Sequence, residues 1–278
     1  MDKLVSTDWL AAQLGADDLV VLDATQHLGG SGRDAAGEYI EGHIAGARFL
    51  DLDSLYDPSS SVTKAVPTSD QFAARAGALG IAPESRVVLY DDSAIRSAAR
   101  AYFLFDHFGH ERVAVLDGGL AKWRTEGRAL VTGEEAGTAS VRYPQPTGRR
   151  RIVSKTDLLG GIDMPLVDAR DPARFRGEVE DHVHGLPGGH IPGARNLHFA
   201  DLYAADGTLL SPAELRARFH GSGVDPDAPI AASCGSGMTA CVVLFAQTIL
   251  GNRGALYDGS WAEWGADPET PKETGEAR

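Results

Sequence analysis

The chain is poor in cysteine, in basic charge and in long apolar runs, and each shortage removes a class of protein. Of 278 residues only two are cysteines, Cys234 and Cys241, seven positions apart on a segment that reads as helical. A pair so spaced cannot be bridged within an intact helix, so a disulfide scaffold is excluded. Lysine and arginine total 26 against 39 aspartates and glutamates, a net charge of −13. A surface that acidic repels phosphate backbones, and nucleic acid is not an expected partner. The longest apolar run, Ala240 to Ala246, is far short of the roughly 20 residues that cross a bilayer, so no membrane is expected either. The opening, Met1-Asp2-Lys3-Leu4-Val5-Ser6-Thr7-Asp8-Trp9, carries no apolar stretch of export-signal length. Together with free thiols this points to the cytoplasm.

What is present is ordinary for a globular protein: 43% hydrophobic and 23% charged residues, with 33 glycines for tight turns. The length suggests about two domains, and internal repetition makes that specific. Gly42-His43-Ile44-Ala45-Gly46-Ala47-Arg48 recurs as Gly189-His190-Ile191-Pro192-Gly193-Ala194-Arg195. Val20-Val21-Leu22-Asp23-Ala24 is echoed by Leu166-Val167-Asp168-Ala169-Arg170, and Leu116-Asp117-Gly118-Gly119-Leu120-Ala121-Lys122-Trp123 by Tyr257-Asp258-Gly259-Ser260-Trp261-Ala262-Glu263-Trp264. Val5-Ser6-Thr7-Asp8 matches Val153-Ser154-Lys155-Thr156-Asp157. Four matches in one order mark a duplicated domain: 1–132, a turn-rich linker at 133–151, a second copy at 152–267 and a polar, loose tail at 268–278. Arg149-Arg150-Arg151, the only basic cluster, reads as solvated linker charge.

Within each copy, short apolar runs such as Val87 to Tyr90 and Val113 to Leu116 alternate with helical patterns such as Ser97 to Phe108. This predicts an α/β fold, each copy a parallel sheet flanked by helices, with ligands at the carboxyl ends of strands. Aligning the two copies from the shared tryptophan end sets Asp92 opposite Cys234. The second copy thus has a thiol and two glycines where the first has a carboxylate and bulkier side chains. The loop Cys234-Gly235-Ser236-Gly237-Met238-Thr239 lies between a short strand and a helix. Such a loop turns successive N–H groups and the positive end of a helix toward one point, which stabilises a thiolate and any anionic sulfur carried on it. Ser236 and Thr239 add hydroxyl donors. Cys241, inside the following helix, reads as core packing.

These residues resemble the rhodanese family of sulfurtransferases in its tandem two-domain form, over nearly the whole chain. The resemblance implies an inactive first copy and a second whose Cys234 forms a persulfide and passes its outer sulfur to a thiol such as thioredoxin or glutathione, or to cyanide, with no cofactor. The loop Cys-Gly-Ser-Gly-Met-Thr is similar to the Cys-Gly-Ser-Gly-Val-Thr of 3-mercaptopyruvate sulfurtransferases, with Met238 a departure. Thiosulfate:cyanide sulfurtransferases, the alternative, carry Cys-Arg-Lys-Gly-Val-Thr, whose cations suit a compact dianion. Exchanging Gly235-Ser236 for Arg-Lys is expected to move preference toward thiosulfate. A different class, a sulfur-carrier or persulfide-sensing protein without turnover, would show no activity with free donors. A phosphatase on a related fold would need an arginine where Ala240 stands.

The same resemblance assigns Arg174, first in Arg174-Phe175-Arg176-Gly177, to the substrate carboxylate, with Arg176 either sharing that role or forming a surface ion pair. A second family arginine has Val183 in its place here, leaving His182, His184 or Arg195 to substitute. It further implies a proton relay of Asp34, His43 and Ser236. The residues alone leave another reading open: His43 and His190 occupy one position in the two copies, so both can be structural. His182, His184, His190 and Asp181 invite a zinc site, but the Gly/Pro-rich stretch fixes no ligand geometry and no metal is expected.

Overall fold

The computed structural model describes residues 1–135 and 139–277; Ala136, Gly137 and Thr138, in the expected linker, and Arg278, in the expected tail, lie outside the described residues. The chain forms two compact units, one of residues 1–57, 66–149 and 205–208, the other of 58–65, 150–204 and 209–278.

The N-terminal unit runs β1 (Leu4–Val5), α1 (Thr7–Gln13), β2 (Leu19–Asp23), α2 (Ala35–Glu41), β3 (Ala47–Phe49), α3 (Ser69–Ala78), β4 (Arg86–Tyr90), α4 (Ala98–His107), β5 (Val113–Leu116) and α5 (Gly119–Thr125). The C-terminal unit repeats the plan: β6 (Ile152–Val153), α6 (Lys155–Gly160), β7 (Leu166–Asp168), α7 (Pro172–Arg176), β8 (Arg195–Asn196), α8 (Pro212–Gly221), β9 (Ala231–Ser233), α9 (Ala240–Ile249), β10 (Ala255–Tyr257) and α10 (Ser260–Trp264). The two sheets have one topology, β1-β5-β4-β2-β3 and β6-β10-β9-β7-β8, with every strand pair parallel.

The repeated motifs do the same local work in each unit. The Val-Ser entrance ends an edge strand and caps a helix: Ser6 accepts from Trp9 N–H, and Ser154 forms a capping box with Asp157, satisfying donors that a helix start leaves open. The tryptophan motifs seal the cores. Leu120 and Trp123 pack with Val5, Val21 and Val88, and Trp261 and Trp264 with Val153, Phe175 and Ala231.

Strand register corrects the pairing of the two loops. Asp23 of β2 stands beside Tyr90 of β4, and its counterpart Asp168 of β7 beside Ser233 of β9. The residue after Tyr90, Asp91, is therefore the partner of Cys234, and Asp92 is one step beyond it. The same helix turn docks on both: Leu120 N–H donates to Asp91 O at 3.0 Å, and Trp261 N–H to Cys234 O at 2.9 Å. Counting from the tryptophans miscounts because the first copy carries extra residues between loop and tryptophan.

Three further expectations change. Residues 139–149 of the linker are part of the N-terminal unit: Val141 N–H donates to Gly77 O at 3.0 Å, and buried Tyr143 bonds His110 Nδ1 through its hydroxyl at 3.0 Å. The basic cluster is dispersed, Arg149 pairing with Glu111 and Arg151 with Asp163, while Arg150 is buried and donates to Thr248. The tail is docked rather than loose: Glu273 and His190 exchange backbone bonds at 3.0 and 2.8 Å, Gly275 N–H reaches Arg176 O, and Thr270 is buried.

Candidate active site

Strand β9 ends in Ser233 and the chain turns into the cysteine loop before α9 begins at Ala240. Cys234 is 1% exposed. The loop is held from behind by Ser260, a residue without an assigned role in the sequence. The Ser260 hydroxyl accepts from Cys234 N–H at 3.0 Å and Gly237 N–H at 3.2 Å and donates to Tyr257 O at 2.9 Å. Ser260 is fully buried with φ of +50°, a conformation that costs a non-glycine residue and persists only where the surroundings enforce it. Gly119, with φ of +57°, occupies this place in the other unit. The difference between the copies at this position was the available signal. Cys241 completes the back of the loop, its thiol donating to Gly237 O at 3.2 Å.

The front of the loop is unspent. Among the described residues, the N–H groups of Gly235, Ser236 and Thr239, the hydroxyls of Ser236 and Thr239, and the Cys234 sulfur have no hydrogen-bond partner. Donors left open beside a sulfur at a helix start form an anion cradle. The duplicate shows such a cradle filled. In the N-terminal unit the Asp91 carboxylate accepts from Ser93 N–H at 2.9 Å and from Ala98 N–H, the first residue of α4, at 2.7 Å. Burial pushes the Asp91 carboxyl up against these bonds.

Arg170, quoted in the repeat but given no role, is the cation beneath the loop. It is 1% exposed, stacks 4.5 Å over the Trp261 ring, and binds Asp168 at 2.7 Å, Gly189 O at 2.7 Å and Asp181 at 3.5 Å. Burial alone would lower its pKa, but Asp168, Asp181 and the charge of Cys234 raise it on balance. Asp181, fully buried, also meets Arg174 at 3.4 Å and His184 Nδ1 at 2.9 Å. Burial would raise the Asp181 carboxyl, but the His184 bond and the charges of His184, Arg174 and Arg170 outweigh it and bring it down to about 2.

His184 stands against the loop itself. A Cβ placed on Gly235 would lie 2.1 Å from His184 Cε1 and 2.9 Å from Nε2. A side chain at 235 therefore needs the His184 ring to shift. An arginine there, as in the thiosulfate-type loop, cannot simply be added; the ring must first leave Asp181. Room beside the His184 ring, as well as charge, therefore enters the Arg-Lys exchange.

The other expected substrate groups separate. Arg174 is bound at Nε to Asp171 and at one Nη to Asp181, leaving its other Nη unspent and the side chain 21% exposed. Arg176 instead pairs with Glu178 at 2.7 Å and Glu276 at 3.7 Å. It lines a cavity of about 350 Å³ with Arg195 and Glu276 that includes no residue of the cysteine loop. Val183 is exposed, and His182 is 81% exposed beside Glu180. Among the described residues no group of three or more His, Cys, Asp and Glu is placed to hold a metal ion.

Asp34 caps α2 by accepting from Ala36 N–H. His43 is 1% exposed, donates through Nδ1 to Tyr39 O (2.8 Å), stacks on the Tyr39 ring at 4.0 Å, and has Nε2 3.4 Å from Glu135. His190 repeats every contact: Nδ1 to Phe175 O at 2.9 Å, the Phe175 ring at 3.9 Å, Nε2 3.7 Å from Glu273.

The family profile described as "Rhodanese-like domain" matches this chain twice, over residues 6–126 and 154–267. The chain belongs to the rhodanese family. It is similar to 3-mercaptopyruvate sulfurtransferase of Escherichia coli K12, 37% identical over 97% of each chain, and to thiosulfate sulfurtransferase of Bos taurus, 37% identical over 96% of this chain and 94% of that one. The crystal structure of SseA from Escherichia coli, a 3-mercaptopyruvate sulfotransferase, superposes with a TM-score of 0.84 at 36% identity, covering 94% of this chain and 99% of that one. With rhodanese domains throughout and sulfurtransferases as relatives, the chain is a sulfur-transferring enzyme. No helix among the described residues is long and apolar enough to cross a membrane.

Proposed function

We propose that the protein moves sulfur from 3-mercaptopyruvate to Cys234 and on to a thiol acceptor or cyanide, releasing pyruvate. Identity does not choose the donor, since relatives of both kinds are 37% identical. The observation that carries the choice is Gly235 lying under the His184 ring, which keeps a cation off the loop and leaves an unspent edge of Arg174 for a single carboxylate. Such a site suits a monoanionic keto acid better than a compact dianion.

In this reading the Cys234 sulfur, just before the start of α9, attacks the donor sulfur as a thiolate. The open donors of Gly235, Ser236 and Thr239 receive the persulfide charge, much as the other loop receives the Asp91 carboxylate. Gly237 and Met238 shape the loop, and Arg174 holds the substrate carboxylate. His43, Asp34 and Arg176 take no part: the identical settings of His43 and His190 support a shared structural task, and Arg176 is held by two glutamates. A thiol such as thioredoxin or glutathione then takes the outer sulfur, splitting one transfer into two easier steps. A nucleophile that must stay reduced places the enzyme in a reducing compartment such as the cytoplasm.

The test is steady-state pyruvate release with mercaptopyruvate, beside thiocyanate formation from thiosulfate. Release should exceed thiosulfate turnover in kcat/KM and vanish in Cys234→Ser. No pyruvate from enzyme with Cys234 reduced overturns the reading.

A further inference from the structure

We infer that His184 is a catalytic residue of this site, the group that hands a proton to the departing pyruvate enolate, with Asp181 fixing its orientation. The inference rests on the mercaptopyruvate reading and adds to it the proton donor which that chemistry requires.

Three observations carry it. The ring is pressed on the residue next to the nucleophile, within van der Waals reach of Gly235, where any side chain would overlap it. Its Nδ1 is 2.9 Å from an Asp181 oxygen, and Asp181 is fully buried among Arg170, Arg174 and His184. A carboxylate held ionised there accepts, so Nδ1 carries the proton and donates. Nε2 has no partner among the described residues, and the side chain keeps 13% of its surface open. An imidazole oriented through one nitrogen by a buried carboxylate, with the other free beside a nucleophile, is the arrangement of a general acid and base. His190 makes a contrast within the same unit: its carboxylate neighbour is a partly exposed glutamate 3.7 Å away, and its ring is stacked on Phe175.

The step balances within the site. Cys234 thiolate attacks the substrate sulfur, an S–S bond forms, and the C–S bond breaks with its electron pair passing to the carbon and ketone oxygen as enolate. His184 gives its Nε2 proton to that carbon, completing the methyl group of pyruvate. The thiol proton that arrived on the outer sulfur then moves to Nε2, which restores the Nε2–H and leaves the perthiolate in the cradle. No oxidant or reductant is needed. Arg174 holds the carboxylate of the same substrate and shares Asp181 with His184, which ties substrate position to the proton donor.

Discharge of the persulfide to cyanide needs no such proton, and this separates a chemical role from a structural one. The experiment compares wild type with His184→Gln in two single-turnover half-reactions. Loading is followed as pyruvate released and one sulfur gained by intact mass; discharge is followed as thiocyanate from enzyme preloaded with inorganic polysulfide. Loading should fall by about 100-fold, the usual loss on removing a general acid, with discharge changed by less than about threefold. Added imidazole should restore part of the loading rate in His184→Ala. Loading at the wild-type rate, or equal losses in both half-reactions without imidazole rescue, overturns the inference. Wild type that releases no pyruvate would instead overturn the donor assignment.

Discussion

Gly235→Ala isolates the contact on which the donor assignment turns. The added methyl would sit 2.1 Å from His184 Cε1 and 3.0 Å from Nδ1, well inside any tolerable carbon contact. The φ of Gly235 is not among the positive values, so alanine adds no backbone strain and the collision is the whole perturbation. The ring must then swing away and lose its 2.9 Å bond to Asp181, a bond to an ionised group worth about 1.5–3 kcal/mol. Once His184 has been cut to alanine, there is nothing left to strike. A double-mutant cycle therefore predicts that Gly235→Ala costs about 1.5–3 kcal/mol in wild type and less than about 0.5 kcal/mol in His184→Ala. Urea unfolding of the four proteins measures this, fitted on the transition that His184→Ala itself shifts, since two units need not unfold together. Equal costs in both backgrounds would refute the packing of His184 on the loop. So would a negligible cost in wild type.

Two other expectations follow from the buried network. Asp181 has its carboxyl lowered from 3.8 to about 2 in the folded protein; a depressed acid contributes stability present above its unfolded value of about 4 and lost as pH falls through about 2. The stability advantage of wild type over Asp181→Asn should narrow by about 2 kcal/mol between pH 5 and 2, and pH profiles that run parallel would refute it. Ser260, at φ +50° with two loop N–H groups on its hydroxyl, should tolerate glycine better than alanine by about 1 kcal/mol, because glycine alone is relieved at positive φ. Both variants should lose kcat/KM for mercaptopyruvate, and an alanine variant as stable as the glycine one would count against the strain.

Most of the architecture was legible because duplication leaves marks at fixed places. Val5-Ser6 and Val153-Ser154 announce a strand end and a helix cap, and Trp123 and Trp264 seal equivalent cores. Cys234 was legible from its glycines. The loop's supports were not, because each acts across distance in the chain. Ser260 reaches back 26 positions to Cys234 N–H, and nothing local in Gly259-Ser260-Trp261 reveals it. His184 was one of three histidines in a Gly/Pro-rich stretch; only the fold puts it on Gly235 while His182 faces solvent. Arg174 and Arg176, two residues apart, point to different partners because that spacing on a helix separates them by about 200°. Pairing Asp92 with Cys234 failed for a related reason, since residue counting cannot see where an insertion sits and strand register can.

The corrected pairing gives the duplication a physical meaning. With Asp91 rather than Asp92 opposite the cysteine, the residue at the focus of the first loop is a carboxylate whose two oxygens take Ser93 N–H and Ala98 N–H. The donors that would receive an anionic ligand are already occupied by the chain's own carboxyl group. The corresponding loop in the second copy has a small thiol there, and its front donors remain open among the described residues. A perthiolate extends the cysteine by one sulfur and puts negative charge about where a carboxylate would reach. In the proposed cycle the second copy would acquire and release a charge where the first carries a covalently attached carboxyl group. Restoring a cysteine at Asp91 alone would not recreate the site, because Gly119 offers no hydroxyl in place of Ser260 and Thr25 stands where Arg170 supplies the buried cation. The asymmetry between the units therefore lies in a set of at least three positions acting together, and the net charge of −13 does not oppose the proposed cycle: there the anion would meet Arg170, Arg174 and backbone donors at close range, where local fields outweigh a screened average.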